Sequence, residues 1–429
     1  MTSKIVVNNI ESDSGINTVT IIGDVSVGSS ITATDITATH HGSGADLTNL
    51  PAANLTGTLP AISGANLTGI NTAFGSGTSV NTSGIITATA FVSDTPLSHR
   101  NIIINGAMNV AQRGTSFAAP ADGYTLDRWS VYENLSTGQV AVTQEAVTDL
   151  IGFTKAAKIN CTTAEAGVPS ASGAQYATYI QPIEAQNLTH IGNGTSAAKP
   201  LIFSFYVKSN VTGTFCVTFY KSDNTARVVS LPYTINSANT WERKTLSIPA
   251  DTSGGGINDD NGQGFAVYFI LARKTGYSGT TSTSWINYTN TGWAPTCTAT
   301  IFENVNDHMF ITGCQLEVGS VATPFEHRSV GEELSRCQRY CVVDIAEKYW
   351  YNGHGGNVRD YSYYSWPTTM RAAPTITFGT PITETLLNTS GGAGHQARKI
   401  TTSSWQYGPR ASQTGNAYGE IPYTADAEL

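Results

Sequence analysis

The sequence predicts an all-β protein that contains an antiparallel β-sandwich, a small second β domain and an extended N-terminal part. Short runs of alternating apolar and polar residues recur along residues 99–327 and are separated by turn-rich stretches. Only 13% of the residues are charged, and 42 of the 429 are glycine, a composition typical of strands and turns. Helical periodicity is confined to one short segment near residue 330.

Composition argues against two classes of partner. The formal net charge is −8, and no Lys/Arg cluster supplies the basic stripe that neutralises phosphates, so nucleic-acid binding is not expected. No apolar run approaches the roughly 20 residues of a membrane-spanning helix, so membrane insertion is not expected either. The opening residues MTSKIVVNNIESDSG lack the apolar region of a secretory signal, and we expect assembly in a cytoplasm.

Residues 1–98 differ in composition from the rest of the chain. They contain two aromatic residues, Phe74 and Phe91, and a boundary falls in the turn-rich segment SDTPLSHR. The phrase ADLTN or ANLTG starts there at residues 45, 53 and 65 and supplies one leucine each time. These leucines are too few to bury one another within a single chain, whereas three parallel chains could pack them around a common axis. We therefore expect residues 43–98 to form a homotrimeric shaft. A disordered linker of low hydrophobicity is the alternative.

The strands of the predicted sandwich alternate most clearly in LIFSFYVKSN (201–210) and in GTFCVTFYKS. Further strands are predicted at these segments: QVAVTQE, KAAKINC, YATYIQP, RVVSLPYTI, WERKTLSI, FAVYFILA and HMFITGCQLEV. Many short strands of this kind indicate an antiparallel sandwich.

One helix is predicted over 330–341, in the segment VGEELSRCQRYC. Glu332 and Glu333 lie near its N-terminus and Arg336 and Arg339 follow, an order that complements the helix dipole. The helix links the sandwich to the last segment.

The cysteines do not indicate a disulfide framework, because they are scattered through a long chain without a secretory signal. The six are Cys161, Cys216, Cys297, Cys314, Cys337 and Cys341. A zinc site at Cys337 and Cys341 is not favoured, since no CxxC pair accompanies them. Buried free thiols are the better interpretation.

Two further groups could hold a metal ion. Asp259 and Asp260, in GGGINDDNGQG, offer oxygen ligands for calcium, but their spacing does not match an EF-hand and a solvated loop is favoured. His40 and His41 are adjacent, and adjacent residues of a strand point to opposite faces. We therefore expect no metal and no cofactor.

The strongest binding signal is the aromatic segment EKYWYNGHGGNVRDYSYYSWP (347–367), followed by the aromatic pair in SSWQYG. Aromatic rings stack on the C–H faces of sugars, and polar side chains hydrogen-bond their hydroxyl groups. The candidate glycan contacts are Tyr349, Trp350, Tyr351, His354, Asp360, Tyr361, Tyr363, Tyr364, Trp366, Trp405 and Tyr407. Asn352, Asn357 and Arg359 lie among them.

A strand through this segment has two faces, and the alternative is that half of the rings are core. Tyr361 and Tyr363 would lie on one face, Tyr364 and Trp366 on the other, and one face must be buried. We expect Trp350 and Trp366 to be exposed, so that alanine at either position spares stability and weakens binding.

Two phrases resemble those of bacteriophage tail-fibre proteins. The first runs RNIIINGAMNVAQRGTSF and continues to GYTLDRW, and the second is QLEVGSVATPFEHRSVGEELSRCQRY. The first set of matching positions is Asn101, Asn105, Gly106, Gln112, Arg113, Gly114, Asp127, Arg128 and Trp129. The closing set is Gln315, Leu316, Glu317, Gly319, 322–326, Arg328, 331–334 and 337–340. The match covers about half the chain at motif density, and KIVVNNIESDSG with the leucine phrases is similar, more weakly, to tail proteins of phages that infect cyanobacteria.

The resemblance implies a carbohydrate-binding-module-like jelly roll carried on a trimeric fibre. The expected order is a virion-attachment segment over 1–42, the shaft over 43–98, the jelly roll over 99–329, the linking helix over 330–342 and a receptor-binding tip over 343–429. The motif residues themselves are interpreted as architecture, with Trp129 in the core.

The implied function is attachment of a virion to a host-surface glycan. The expected partners are two further copies of the chain, the phage tail or baseplate, and the glycan. We expect the protein to be an adhesin, not an enzyme, and to bind the glycan through its aromatic tip. The alternatives are a polysaccharide-depolymerising tailspike and a ligand-free structural decoration protein.

Overall fold

A computed structural model describes residues 98–120, 122–279, 283–354, 356, 358–387 and 394–429. These residues belong to one compact unit, Ala88–Leu429. The predicted attachment segment, nearly all of the shaft and the pair His40 and His41 lie outside the described residues.

Strands dominate the described part, which contains one α-helix. In chain order the elements are β1 (Ser116–Ala118), β2 (Gly123–Tyr124), β3 (Ser130–Glu133), β4 (Gln139–Ala146), β5 (Lys155–Thr163), β6 (Tyr176–Glu184), β7 (Leu201–Ser209), β8 (Gly213–Lys221), β9 (Arg227–Ile235), β10 (Glu242–Ile248), β11 (Gln263–Arg273), β12 (Ile286–Asn287), β13 (His308–Val318), α1 (Val330–Gln338), β14 (Cys341–Asn352), β15 (Ser362–Ser365), β16 (Thr375–Phe378), β17 (Thr383–Thr385), β18 (Ala397–Arg398), β19 (Ser404–Tyr407) and β20 (Gly415–Asp426). The nine-residue helix is far too short to cross a bilayer, and no other helix of the described residues qualifies.

Two antiparallel sheets form the sandwich. One has the order β1-β4-β5-β13-β7-β10, and the other has the order β12-β9-β8-β11-β6-β3-β2. Their facing side chains form one core that contains Phe203, Phe205, Phe219, Phe269 and Trp129, all with no exposed surface. The predicted all-β fold with antiparallel sheets is confirmed.

Both faces of β11 are buried, which is unusual for a strand of a two-sheet sandwich. Phe265, Val267 and Phe269 point into the core, as two-residue alternation requires. Ala266 and Ile270, on the opposite face, are also fully buried. The seven-stranded sheet is therefore covered on its outer face as well, by side chains from the loops around Tyr277 and Trp293.

The last segment folds as a second, smaller β domain. Its larger sheet has the order β14-β20-β16, with β17 also paired to β20, and its smaller sheet has the order β15-β19-β18. The core between them contains Trp366, Trp405, Tyr407, Ile421 and Tyr423. The two tryptophan rings stack with centroids 5.7 Å apart and an interplanar angle of 7°.

Helix α1 ends at Gln338, three residues before the predicted end, because the chain enters β14 at Cys341. Ser329 caps its N-terminus by accepting a hydrogen bond from the backbone N–H of Glu332, at 3.2 Å. Cys337 and Tyr340 are fully buried and pack against Ile104 and Val110.

The Asn-Gly pair of the first motif forms a turn against the sandwich. The side chain of Asn105 donates to the backbone carbonyls of Val110 and Asp127, at 2.9 and 3.0 Å. The backbone carbonyl oxygen of Asn105 accepts the indole N–H of Trp129. Gly106 lies so close to β13 that a Cβ atom there would be 2.1 Å from the carbonyl oxygen of Cys314. Only glycine fits this approach.

The Arg-Trp pair of the same motif joins the two domains. Trp129 is core, as expected, and the ion-pair partner of Arg128 lies far along the chain. Its guanidinium forms an ion pair with Glu428, donates to the carbonyl of Pro182 at 2.6 Å, and lies 3.5 Å from the centre of the Tyr340 ring. A cation from the sandwich is thus buried against the C-terminal domain.

Two more ion pairs surround this contact. Glu184 accepts two hydrogen bonds from Arg339, at 2.9 and 2.6 Å, and one from the hydroxyl of Tyr340, at 2.7 Å. Arg113 pairs with Glu428 at 3.2 Å. We call Arg113, Arg128, Glu184, Arg339, Tyr340 and Glu428 the Arg128 cluster.

Replacing Arg128 by leucine should destabilise the protein by about 3 kcal/mol or more, because Glu428 would lose its principal partner while staying buried. Because Arg113 still pairs with Glu428 in this variant, we expect a loss of free energy of unfolding close to about 3 kcal/mol. The measurement is chemical denaturation of the full chain.

The matched control is Arg336→Leu, which breaks an ion pair with Glu332 whose side chains are 32% and 42% exposed. It should cost less than about 0.5 kcal/mol. Equal effects of the two substitutions would contradict a structural role for the Arg128 cluster.

Candidate functional site

The predicted aromatic segment divides between the faces of β14. Tyr349 and Tyr351 are 65% and 69% exposed on the outer face, whereas Trp350 points inward and is 8% exposed. Tyr418 of β20 lies directly opposite Tyr349 in the same sheet and adds a third ring to the outer face. Trp350 packs instead against Ala411 and Ala417, so its prediction as an exposed contact is wrong.

Four more of the predicted contacts are wholly or partly in the core of the C-terminal domain. Trp366 is 6% exposed, and Trp405 and Tyr407 have no exposed surface. Tyr364 packs on Trp405 with ring centroids 5.3 Å apart, and its hydroxyl donates to the backbone carbonyl of Glu347. Trp366, Trp405 and Tyr407 are corrected to core residues, and Tyr364 to a half-buried ring packed on that core, because the two small sheets must bury one face each.

The remaining tyrosines of the segment lie on the smaller sheet. Tyr363 is 70% exposed, with Lys399 6.0 Å from its ring centre. The ring of Tyr361 is covered by the guanidinium of Arg398 at 3.3 Å, and its hydroxyl donates to Gln396. Tyr361 therefore stacks on a cation of its own chain.

His354 and Asp360 do lie near one another. They line an open hollow of about 200 Å³ together with Trp350, Tyr351 and Asn352. Asp360 is exposed and forms an ion pair with Lys348 at 3.0 Å. Asn357 lies outside the described residues. Of the aromatic candidates, the structure leaves Tyr349, Tyr351 and Tyr363 available to solvent, with Tyr351 beside this hollow.

A larger group of aromatic residues, not predicted from the sequence, lies on the outer face of the seven-stranded sheet. The group is Tyr132, Tyr176, Tyr220, Tyr268, Tyr277, Tyr288 and Trp293, and we call it the tyrosine cluster. The strands place Tyr132, Tyr220 and Tyr268 on this face, because each follows or precedes a core-facing residue.

Trp293 is the centre of the tyrosine cluster. Its ring centroid lies 4.7 Å from that of Tyr268 and between 5.7 and 5.9 Å from those of Tyr176, Tyr220 and Tyr288. The indole is 4% exposed, while Tyr288 at its edge is 39% exposed. A buried hub thus holds a ring of partly exposed tyrosines in fixed positions.

Burial raises the pKa values of Tyr268 and Tyr176, and neighbouring tyrosines of the cluster add to the effect. Burial and the neighbouring Tyr220 and Tyr288 hydroxyls raise the pKa of Tyr268 to about 12. Burial, followed by the hydroxyls of Tyr132, Tyr277, Tyr268 and Tyr288, raises the pKa of Tyr176 strongly. Both hydroxyls therefore stay protonated at neutral pH and can both donate and accept hydrogen bonds.

A cleft of about 260 Å³ adjoins the tyrosine cluster. Tyr132 and Tyr268 form part of its wall, with Ile180 and Pro182 of β6 between them, and Gln263 adds an amide. Asp122 is the acidic residue among the described residues that line it, and none of those is Lys or Arg. The cleft thus combines ring faces, hydroxyls and an amide, without a group that attracts anions.

One sequence signal for the tyrosine cluster exists. In FAVYFILA, both the odd and the even positions are apolar or aromatic, so neither face of that strand is solvated. The pattern indicates that something covers the outer face. It does not indicate which residues do so, because the cluster runs from Tyr132 on β3 to Trp293 in a loop, 161 positions later in the sequence.

The metal candidates have other contacts in the structure. Asp260 accepts the backbone N–H of Gly262 at 2.8 Å in a local turn, and Asp259 is exposed. Nearby loop carbonyls, those of Gly254 and Gly255, accept from the ammonium of Lys221 at 2.8 and 2.6 Å. Cys337 and Cys341 are buried, and the described residues contain no group of three or more His, Cys, Asp or Glu suited to a metal.

No protein-family model matches the chain, and no curated protein matches it either. Among solved structures it is similar to the enzymatically active domain of tailspike protein 4 of bacteriophage CBA120, at 13% identity and TM-score 0.28, covering 51% of this chain and 21% of that one. It is also similar to a putative sugar binding protein from Bacteroides thetaiotaomicron, at 14% identity and TM-score 0.29, covering 51% of this chain and 100% of that one. A third is a family 11 carbohydrate-binding module from Clostridium thermocellum, at 11% identity and TM-score 0.25, covering 49% and 99%. The chain spans about a fifth of the tailspike that it matches, and what these proteins bind or cleave is a property of those proteins.

Alanine at Trp366 or Trp405 should lower the free energy of unfolding by about 3–5 kcal/mol, because each removes a buried ring from the smaller core. Alanine at Tyr349 or Tyr351 should change it by less than about 0.5 kcal/mol, because these rings are exposed. Denaturant unfolding of the four variants of the full chain provides the measurement. Unchanged stability in Trp405→Ala would contradict the assignment of that ring to the core.

Proposed function

We propose that this protein binds neutral glycans and that its principal contact surface is the tyrosine cluster with the adjoining cleft. The observation that supports the proposal is the arrangement of partly exposed tyrosine rings around the buried Trp293. The ring faces suit the C–H faces of sugars, and the hydroxyls with Gln263 suit sugar hydroxyl groups. The absence of Lys and Arg from the described cleft lining favours a neutral ligand over an anionic one.

We further propose that the binding serves attachment of a phage virion to its host, as a homotrimeric tail fibre. The support is the resemblance of the two motif phrases to those of tail-fibre proteins, together with the leucine phrases at residues 45, 53 and 65. The N-terminal segment would dock on the tail or baseplate. Three copies per fibre, and several fibres per virion, would turn weak sugar contacts into firm adhesion.

The proposed activity is adhesion without catalysis. A tailspike that cleaves polysaccharide would release reducing ends from host surface polysaccharide, whereas an adhesin releases none. The tyrosine cluster consists of aromatic rings and hydroxyl groups, which can bind a sugar by stacking and by hydrogen bonds. A reducing-end assay on purified host polysaccharide separates the two functions.

Replacing Tyr268 or Tyr132 by alanine should reduce glycan affinity by roughly fivefold per site, which corresponds to about 1 kcal/mol of stacking. The ligand is first found by applying the full chain to a glycan array, and the best-binding oligosaccharide is then titrated by calorimetry. The variant Tyr132→Phe keeps the ring and removes one hydroxyl, and it should lose a smaller part of the affinity.

The matched control is Tyr363→Ala, which removes an equally large ring from the exposed surface of the C-terminal domain. It should leave the affinity unchanged. If Tyr363→Ala or Tyr351→Ala abolished binding while Tyr268→Ala did not, the ligand would lie at the tip that the sequence predicted, and the tyrosine cluster would be structural.

The trimer is tested by native mass measurement of the full chain at micromolar concentration. The expected native mass is that of three chains of 45.4 kDa each. Deleting residues 1–95 should abolish both trimer formation and incorporation into virions. A native mass of one chain would contradict the shaft, and virion incorporation of the truncated chain would contradict N-terminal docking.

A further inference from the structure

The C-terminal domain contains a cavity of about 440 Å³ that is distinct from the tyrosine cluster and from the hollow at Tyr351. Its described walls come from the end of β16, the turn before β17, the segment that precedes β18, and β20. They are formed by Phe378, Gly379, Pro381, Glu384, Gly394, His395 and Ile421. This volume lies within the range of about 300–1,000 Å³ in which small molecules bind.

The polar wall of the cavity is a chain of two short hydrogen bonds. The ring nitrogen Nε2 of His395 lies 2.6 Å from Oε1 of Glu384, and Nδ1 lies 2.6 Å from the hydroxyl of Tyr407. A carboxylate can only accept, so Nε2 carries the proton and donates to Glu384. With the imidazole ring neutral, Nδ1 accepts from the hydroxyl of Tyr407, and the three side chains form a directed relay that ends at the carboxylate.

This relay positions Glu384, because every member is itself fixed. Tyr407 has no exposed surface, and its ring stacks on that of His395 with an interplanar angle of 6°. Gly419 lies opposite Glu384 in the β17–β20 pair. It lets the hydroxyl of Tyr407 lie close to β20, since a Cβ atom at this position would be 3.1 Å from that hydroxyl. The backbone beside His395 is held by a hydrogen bond from the N–H of Arg410 to the carbonyl of Gly394, at 2.8 Å.

Glu384 keeps one oxygen for a ligand. Its Oε1 accepts from His395, and Oε2 has no hydrogen-bond partner among the described residues. The Glu384 side chain is 22% exposed, so the carboxylate is reachable from solvent through the open side of the cavity, where Gly379 and Pro381 are exposed. An oriented carboxylate with a free oxygen recognises a donor, such as a sugar hydroxyl.

The apolar wall of the cavity lies beside the carboxylate. Phe378 offers a half-buried ring, Ile421 is buried behind it, and Pro381 forms the rim. No Lys or Arg belongs to the described lining, so a phosphate or carboxylate would meet Glu384 without compensation. The combination suits a neutral molecule with one hydroxylated edge and one apolar face.

We infer that this cavity is a second ligand site, which takes a single neutral sugar residue with its hydroxyls on Glu384 and its C–H face on Phe378. Glu384 contacts the ligand, and His395 and Tyr407 are positioning residues that act through it. The inference does not require the tyrosine cluster to bind glycan, since the two sites lie in different domains.

The test measures binding of free monosaccharide glycosides to the full chain by saturation-transfer NMR and titration. The probes are the methyl glycosides of glucose, galactose, mannose, rhamnose and N-acetylglucosamine at millimolar concentration. At least one should bind the wild-type chain. Glu384→Gln, which preserves the shape of the side chain and its acceptor for His395, should weaken that binding at least tenfold.

Two variants keep the interpretation unambiguous. Glu384→Asp keeps the charge but withdraws the carboxylate by one methylene, and it should also weaken binding. Glu347→Gln makes the same charge change at an exposed position of the same domain and should have no effect. Near-UV circular dichroism and melting temperature confirm that each variant is folded.

The outcomes separate this inference from the proposed function. Monosaccharide binding that survives Tyr268→Ala and is lost in Glu384→Gln supports the cavity site. Binding lost in Tyr268→Ala and kept in Glu384→Gln would overturn it and assign the sugar to the tyrosine cluster. If none of the methyl glycosides binds, the inference is also overturned. Oligosaccharide binding on the array would still uphold the proposed function.

Discussion

The buried guanidinium of Arg128 is the contact on which the arrangement of the described domains depends. A charge with almost no exposed surface must be paired, and its partners come from both domains: the carbonyl of Pro182 from the sandwich, Glu428 and the Tyr340 ring from the segment that follows. Arg339 and Glu184 repeat the connection a short distance away. The C-terminal domain is therefore held in one orientation on the sandwich, so any binding surfaces on the two domains keep a constant relation within each chain.

The double burial of the seven-stranded sheet is the second constraint. A sandwich needs only one apolar face per sheet, yet Ala266 and Ile270 are buried on the outer face too. Ile270 packs there with Tyr277 and Trp293. Covering that face with aromatic rings places tyrosine hydroxyls at the surface, where their rings remain partly exposed. The same packing thus buries the outer face of the sheet and leaves tyrosine rings and hydroxyl groups at the surface, where the proposed glycan contacts lie.

The matching positions of the two motifs and the candidate binding residues form separate sets, although Gly123 and Tyr124 of the phrase GYTLDRW line the cleft. Asn105, Gly106, Trp129 and Arg128 hold the chain together and contribute nothing to the cleft or to the cavity at Glu384. Residues that could bind sugar, such as Tyr268 and Glu384, belong to neither motif.

The sequence alone determined nine strands of the sandwich and the one helix, because these depend on neighbours within a few residues: the alternation in LIFSFYVKSN, for example, predicts β7 to within one residue. Alternation gives two faces to each strand without saying which face is covered. Trp405 and Tyr407 were therefore predicted as contacts, and the packing of two small sheets made them core. The tyrosine cluster and the Glu384–His395–Tyr407 relay depend on strand pairing and loop position over long distances, and only the tertiary structure brings those side chains together.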